Sequence, residues 1–267
     1  MRSQNPSPEK WWSDKPLGAR RSWDYNQLIR VQGAHGRLDL ALQTFHELAA
    51  NDGRNGLVPD LRTLTAMFSA CAVHGRGGVE IAKQIFAQME ADVAQATAQL
   101  VAVAPQSGQM VSIAESNPIL EAQMLAAYSS YMRVLVEAGD PAGAEHVVRL
   151  AARHGLRPDI IMMTSLMQAH IKVGDNRAAW REWLLLPRRG LEPDIVSYTI
   201  IIGMCAQKGE VERCGFLLNK CSVLEDGFLC FTMMDFVLNM MDFTGCSRCG
   251  TNCGRRMSSR PLSSTRR

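Results

Sequence analysis

The sequence predicts an all-α chain, a right-handed superhelical solenoid of helix-turn-helix repeats, and three observations carry that prediction. A Gly-Leu-x-Pro-Asp text recurs, ending at Asp60, Asp159 and Asp194, the last two 35 residues apart. Apolar residues between these marks fall on a helical period, as in Tyr198, Ile201, Ile202, Cys205 and Ala206. Composition agrees. With 46% apolar and 21% charged residues among 267, the chain can bury a continuous core, and its 15 Met, with Val and Ile not dominant, favour helix over sheet.

The elements follow in chain order. Residues 1–22 read either as a disordered lead-in or as a transit segment: Arg2, Lys10, Lys15, Arg20 and Arg21 outnumber Glu9 and Asp14, and no apolar run could serve as a secretory core. Residues 23–90 hold two repeats, marked by Tyr25, Leu28, Ile29, Gly36, Ala41 and Phe45, then by Leu64, Met67, Phe68, Gly75, Ala82 and Phe86. The second is expected to carry two extra residues in its turn. Residues 91–124 form an Ala- and Gln-rich insertion. Its first half, to about Ala104, can prolong the preceding helix until Pro105, Ser107 and Gly108 break it.

Residues 125–229 hold three repeats in strict phase, with Tyr128, Met163 and Tyr198 opening the first helices and Gly139, Gly174 and Gly209 closing them. Each glycine stands eleven residues after its leading apolar residue, where a left-handed residue ends a helix cheaply. Second helices are marked by Ala144, Ala179 and Cys214 and, four residues on, by Val148, Trp183 and Leu218. Residues 230–267 read as a degenerate terminal helix and a disordered Arg/Ser/Cys-rich tail.

The period, the hairpin content and the Gly-Leu-x-Pro-Asp closure, with texts such as SYTIIIGMCAQKGEVERC and YNQLIRVQGAHGRLDLALQTFHEL, resemble the pentatricopeptide repeat family, as a short P-type-like array. The resemblance covers about 23–90 and 125–224. The Trp-Leu-Gly/Tyr signature of tetratricopeptide repeats is not found. The resemblance implies that first helices line a groove and that each repeat meets one base of single-stranded RNA, a mapping that belongs to the repeat class.

On that implication the base readers pair as Asn26 with Asp60, Ser129 with Asp159, and Thr164 with Asp194. Asn with Asp implies uracil; Ser or Thr with Asp implies guanine, so repeats three and four would read two adjacent guanines. Thr65 and Thr199 occupy the matching place without a clean partner acid. Ile161 and Val196, with Arg62 and Ala126 at the equivalent places, would wedge between bases or serve in ordinary helix-start packing. Asn, Ser and Thr near a helix start also cap it, and a Pro-Asp pair is also a turn with a helix-start acid.

Charge tempers this reading. The formal total is +3, of which residues 1–22 carry +3 and residues 243–267 carry +6, leaving −6 for 23–242. Asp92, Glu115 and Glu121 of the insertion supply three of those negatives. Since nucleic-acid affinity is largely phosphate neutralisation, either the groove is locally basic, with Lys172 and Arg133 as candidates, or recognition is base-led, or the partner is a protein. Two functions therefore stand side by side: sequence-selective RNA binding that supports organellar RNA processing, stability or translation in mitochondrion or chloroplast, and a protein-protein scaffold.

Other classes lack support. No run approaches the roughly 18 apolar residues of a membrane span. No phosphate-cradling glycine loop, His-Glu metal helix or elbow serine is present, so neither an enzyme nor a cofactor or small-molecule site is expected. His35, His74 and His154 fall in turns or on helix faces, and His170 on a core stripe where a satisfied, partly buried ring is expected. Cys246, Cys249 and Cys253 lie close together, and a zinc site would need a fourth ligand such as Cys230. The alternative is a disordered tail. Cys71 and Cys205 read as small core residues.

Overall fold

A computed structural model describes residues 12, 20–50, 58–103 and 118–221. Among these the regular elements are helical: α1 (Ser22–Ala34), α2 (Leu38–Ala50), α3 (Leu61–His74), α4 (Arg76–Val103), α5 (Pro118–Ala138), α6 (Pro141–Arg153), α7 (Ile160–Lys172), α8 (Asn176–Leu185), α9 (Ile195–Gln207) and α10 (Val211–Cys221), with a 3-10 turn at Pro187–Arg189. They divide into two compact units, α1 to α8 up to Leu191, and α9 with α10 from Glu192 onward.

The hairpin turns are built by two adjacent residues with separate tasks. Gly174 takes φ 82°, a left-handed conformation open to glycine at little cost. This lets its N–H donate to the Ile171 carbonyl and the Asp175 N–H to the His170 carbonyl, both at 2.9 Å, so the last turn of α7 is satisfied. The Asp175 carboxylate then accepts from the Ala178 N–H at 3.0 Å and opens α8. Gly139 and Asp140 repeat the device, with Asp140 accepting from the Gly143 N–H at 2.9 Å.

Hairpin two departs from this, and not as its sequence predicts. Its two extra residues do not lengthen the turn. They wind into α4, which begins at Arg76 immediately after Gly75. The physical reason is Gly78: a Cβ there would strike the Cys71 carbonyl oxygen and lie 2.7 Å from the Cys71 Cα. Two glycines, Gly77 and Gly78, thus allow α4 to start against the end of α3 with no intervening loop.

α4 runs through to Val103, and α5 begins at Pro118, six residues before Met124. A boundary at 124 therefore cuts a helix. The proposed lead-in apart from Trp12 and 20–22, the middle of the insertion, and the terminal helix and tail at 230–267 lie outside the described residues.

Within the first unit the first helices form one row, α1 on α3, α3 on α5, α5 on α7. Each second helix packs on its own first helix, and α2, α4 and α6 pack on the next one as well, so the core lies between the two rows. Tyr25, Ile29, Met67, Phe68, Tyr128, Met132, Met163 and Met167 fill it. In the second unit, Ile201, Cys205, Cys214 and Leu217 play this part between α9 and α10.

The row closes tightly at Gly33, where a Cβ would overlap that of Ala70 and lie 2.8 Å from its Cα. Gly33→Ala should therefore cost about 1–3 kcal/mol by overpacking, outweighing the ~1 kcal/mol that alanine gains in helix propensity. The check is chemical denaturation, with a lower midpoint at unchanged slope. Combining it with Ala70→Gly should recover part of the loss.

Candidate nucleic-acid interface

The three acids marked as base readers all begin helices. Asp60 caps α3, Asp159 caps α7 and Asp194 caps α9, each with extended backbone and one carboxylate oxygen accepting from the third residue of its helix, at 2.7, 2.8 and 2.8 Å respectively. The local cause is Pro-Asp: proline fixes the approach, and the aspartate satisfies N–H groups that the helix start leaves unpaired. Capping occupies Oδ1 in each case. A carboxylate has about four acceptor sites, so Oδ2 keeps the capacity to accept from a ligand.

Asn26, Thr65, Thr164 and Thr199 sit one turn inside their first helices, and Ser129 about three turns inside the early-starting α5. Asn26 is buried, and its Nδ2 donates a long 3.5 Å bond to Asp60 Oδ1, across 34 residues of sequence. Its own Oδ1 is buried without a partner. Ser129 is likewise buried, and its Oγ makes no hydrogen bond, to Asp159 or to any other described group. Thr164 lies in the first unit and Asp194 in the second.

The threonines share a chemical bias. Thr65 donates its hydroxyl proton to the Leu61 carbonyl at 2.7 Å, Thr164 to Ile161 at 2.9 Å, and Thr199 to Ile195 at 2.7 Å. With that proton committed to the helix backbone, each presents lone pairs only and can accept from a base but not donate to it.

The wedge places are on the surface. Ile161 and Val196 are each 56% exposed, and Arg62 and Ala126 are exposed as well. Trp23, at the same place in hairpin one, is 60% exposed. It was missed in the sequence, although it stands two residues before Tyr25 as Ile161 stands two before Met163. Seven residues on from the wedge place, on the same helix face, α1 carries Arg30 and α5 carries Arg133.

Arg30, Arg62 and Arg133 are exposed and form no ion pair among the described residues. Lys172, the other cation named from sequence, is neutralised by Glu137 at 2.7 Å. Arg30 and Arg62 line one cleft of about 610 Å³ together with Thr65, Ala126 and the start of α5. The first unit thus has a locally basic strip that its net charge conceals.

Remaining polar groups serve the packing. Glu90 accepts from Tyr128 Oη at 2.6 Å and lies 3.0 Å from His154 Nε2, tying α4 to α5 and to the end of α6. Burial and Glu90 push the Tyr128 phenol far up, so it stays a donor. His170 is not the satisfied ring expected: it is 4% exposed, and neither nitrogen makes a hydrogen bond, although Nε2 lies 3.5 Å from Glu145 Oε1. The α6–α7 packing draws the ring into the core, and the glutamate approaches without hydrogen-bond alignment.

Cys71 and Cys205 are fully buried, which pushes each thiol up to about 11 and keeps it protonated. Among the described residues no three His, Cys, Asp or Glu side chains gather as metal ligands, and no helix is long and apolar enough to cross a membrane. Cys230, Cys246, Cys249 and Cys253 lie outside those residues.

Comparison with known proteins agrees on the repeat type. A PPR repeat family model matches residues 158–207, and a PPR repeat model matches 23–52 and 196–222. Among curated proteins, none is a match. The chain is similar in structure to the PPR domain of Arabidopsis thaliana protein-only RNase P 1, crystallised in complex with tRNA. The identity is 15% and the TM-score 0.51, over 87% of this chain and 100% of that one. It is also similar to the pentatricopeptide repeat protein PPR10 from maize, with 20% identity and a TM-score of 0.42, over 86% of this chain and 35% of the maize chain.

Proposed function

This chain is a pentatricopeptide repeat protein, and from that premise we propose that it binds single-stranded RNA in a sequence-selective way along the exposed face of its first helices. The observation that carries the reading is the strip of Arg30, Arg62 and Arg133, free of ion pairs among the described residues, on the helix row that also holds Asn26, Thr65, Ser129 and Thr164. Phosphates meet the guanidiniums, and the amide and hydroxyls face the bases. The exposed side chains at Trp23, Ile161 and Val196 can stack between successive bases.

Asn26 with Asp60 reads uracil in this proposal, Ser129 with Asp159 reads guanine, and Thr164 contributes a guanine-reading hydroxyl from α7. A carboxylate accepts from guanine N1–H and one N2–H, and the acceptor-only hydroxyl of Thr164 can accept the second N2–H. The role is binding in support of organellar RNA processing, stability or translation, without a catalytic group or cofactor of its own. A scaffold that meets another protein would use the same surface without base preference.

The test is a panel of short single-stranded RNAs bound at low and physiological salt. Thr164→Asn should move the preference of the fourth repeat from guanine toward uracil by about tenfold, the value of one good base-edge pairing. Affinity that ignores sequence and disappears at physiological salt, with no response to Thr164→Asn, rejects base reading and favours the scaffold.

A further inference from the structure

Hairpin two has no acid where Asp60 serves hairpin one and Asp159 serves hairpin three. Four residues before Tyr128 stands Met124, which is buried and apolar. In compensation α5 begins at Pro118, and its added turns, about 10 Å of helix, form one wall of the 610 Å³ cleft. The opposite wall is Leu61, Arg62 and Thr65 of α3, with Arg30 of α1.

The wall supplied by α5 brings in Gln123, adjacent to the missing acid, along with the apolar Ile119 and Ala122. Among the described residues the lining therefore combines two guanidiniums, one amide, one hydroxyl and apolar surface, without a carboxylate. Thr65 can only accept, because its proton goes to the Leu61 carbonyl. Gln123 can both donate and accept.

These groups define a complementary ligand. Adenine offers N6–H and N1 to the amide and its second N6–H to Thr65; guanine offers N1–H and O6 to the amide and N2–H to Thr65. Uracil gives the amide its two bonds but turns a carbonyl toward the Thr65 lone pairs. Cytosine fits by pattern and fills less of the cleft. We propose that this cleft is a purine nucleotide site in which Gln123, outside the reading positions of the repeat, replaces the missing acid of hairpin two, while Arg30 and Arg62 hold the phosphate. The inference rests on the RNA-binding reading above.

The experiment is selection from a randomised pool of short single-stranded RNA by the full chain, its Gln123→Glu variant and its Gln123→Leu variant. The native chain should enrich a motif with one purine position. Gln123→Glu should turn that position to guanine alone, disfavouring adenine by about tenfold, because a carboxylate faces the adenine N1 lone pair. Gln123→Leu should level it, and every other position should stay unchanged in both variants.

A parallel titration with 5′-AMP separates the two sources of a nucleotide. Motif changes without AMP binding place it within an RNA chain, whereas AMP binding abolished by Gln123→Leu, with the motif unaltered, assigns the cleft to a free nucleotide. A motif and an AMP response that ignore both variants overturn the site. A native chain that enriches no motif at all overturns the broader reading instead.

Discussion

Reversing Arg30 and Arg62 together to glutamate should weaken binding of short single-stranded RNA by about 100-fold at low salt. A unit charge about 6 Å from a phosphate contributes between about 0.7 and 3 kcal/mol as the effective dielectric falls from water toward that of a protein surface, and reversal turns attraction into repulsion. The two side chains share one cleft and lack described counter-ions, so neither loss is absorbed by a neighbouring acid. Replacing both with alanine instead should lower the slope of log affinity against log salt by about 1.4, the loss of two phosphate contacts on a single strand.

The control carries the same change in net charge elsewhere. Arg177 and Arg181 are exposed on α8, a second helix, and their reversal to glutamate should leave affinity within about twofold once salt screens distant charges. Equal losses from the two double variants would mean that total charge, and not the strip on the first helices, governs binding.

That strip marks the limit of what the sequence discloses. The helical hairpins are legible because their causes are local: a glycine at fixed offset, an aspartate beside it, and an apolar stripe on a 3.6-residue period all act within a dozen residues. Summed charge pointed the other way, because negatives on the insertion and on second helices count equally with arginines on the groove side. Only the stacking of α1, α3 and α5 shows that Arg30 and Arg62 share a cleft.

Local rules also fail where packing overrides them. Two surplus residues beside Gly75 suggest a longer turn, yet Gly78 fits against the Cys71 backbone and the helix simply starts earlier. Gln123 had no signal of its own in the sequence. Its place emerges from counting back four residues from Tyr128, finding Met124 where an acid stands elsewhere, and then seeing that α5 extends past it.

Phe86→Ala should have the largest effect on stability, about 3–5 kcal/mol. The Phe86 ring stacks on Tyr131 with centroids 4.0 Å apart and an interplanar angle of 11°. It also meets Tyr128 at 5.7 Å and Phe68 at 6.3 Å, so one side chain on α4 joins the cores of hairpins two and three. Beside it, between α4 and α6, lies a cleft of about 460 Å³, so little other apolar packing backs this junction on the second-helix side. In a repeat array stability is the sum of each unit and its contacts with neighbours. Weakening one such contact therefore does more than lower the midpoint: hairpins one and two lose their coupling to three and four. Calorimetry should show the melting temperature fall by about 6–20 °C and the single transition broaden into two, with the van't Hoff enthalpy dropping below the calorimetric value. Phe86→Leu keeps apolar volume at the junction and should recover about half of the loss. A sharp, unshifted transition in Phe86→Ala would show that the Glu90 bridge from Tyr128 to His154 holds the junction without the ring stack.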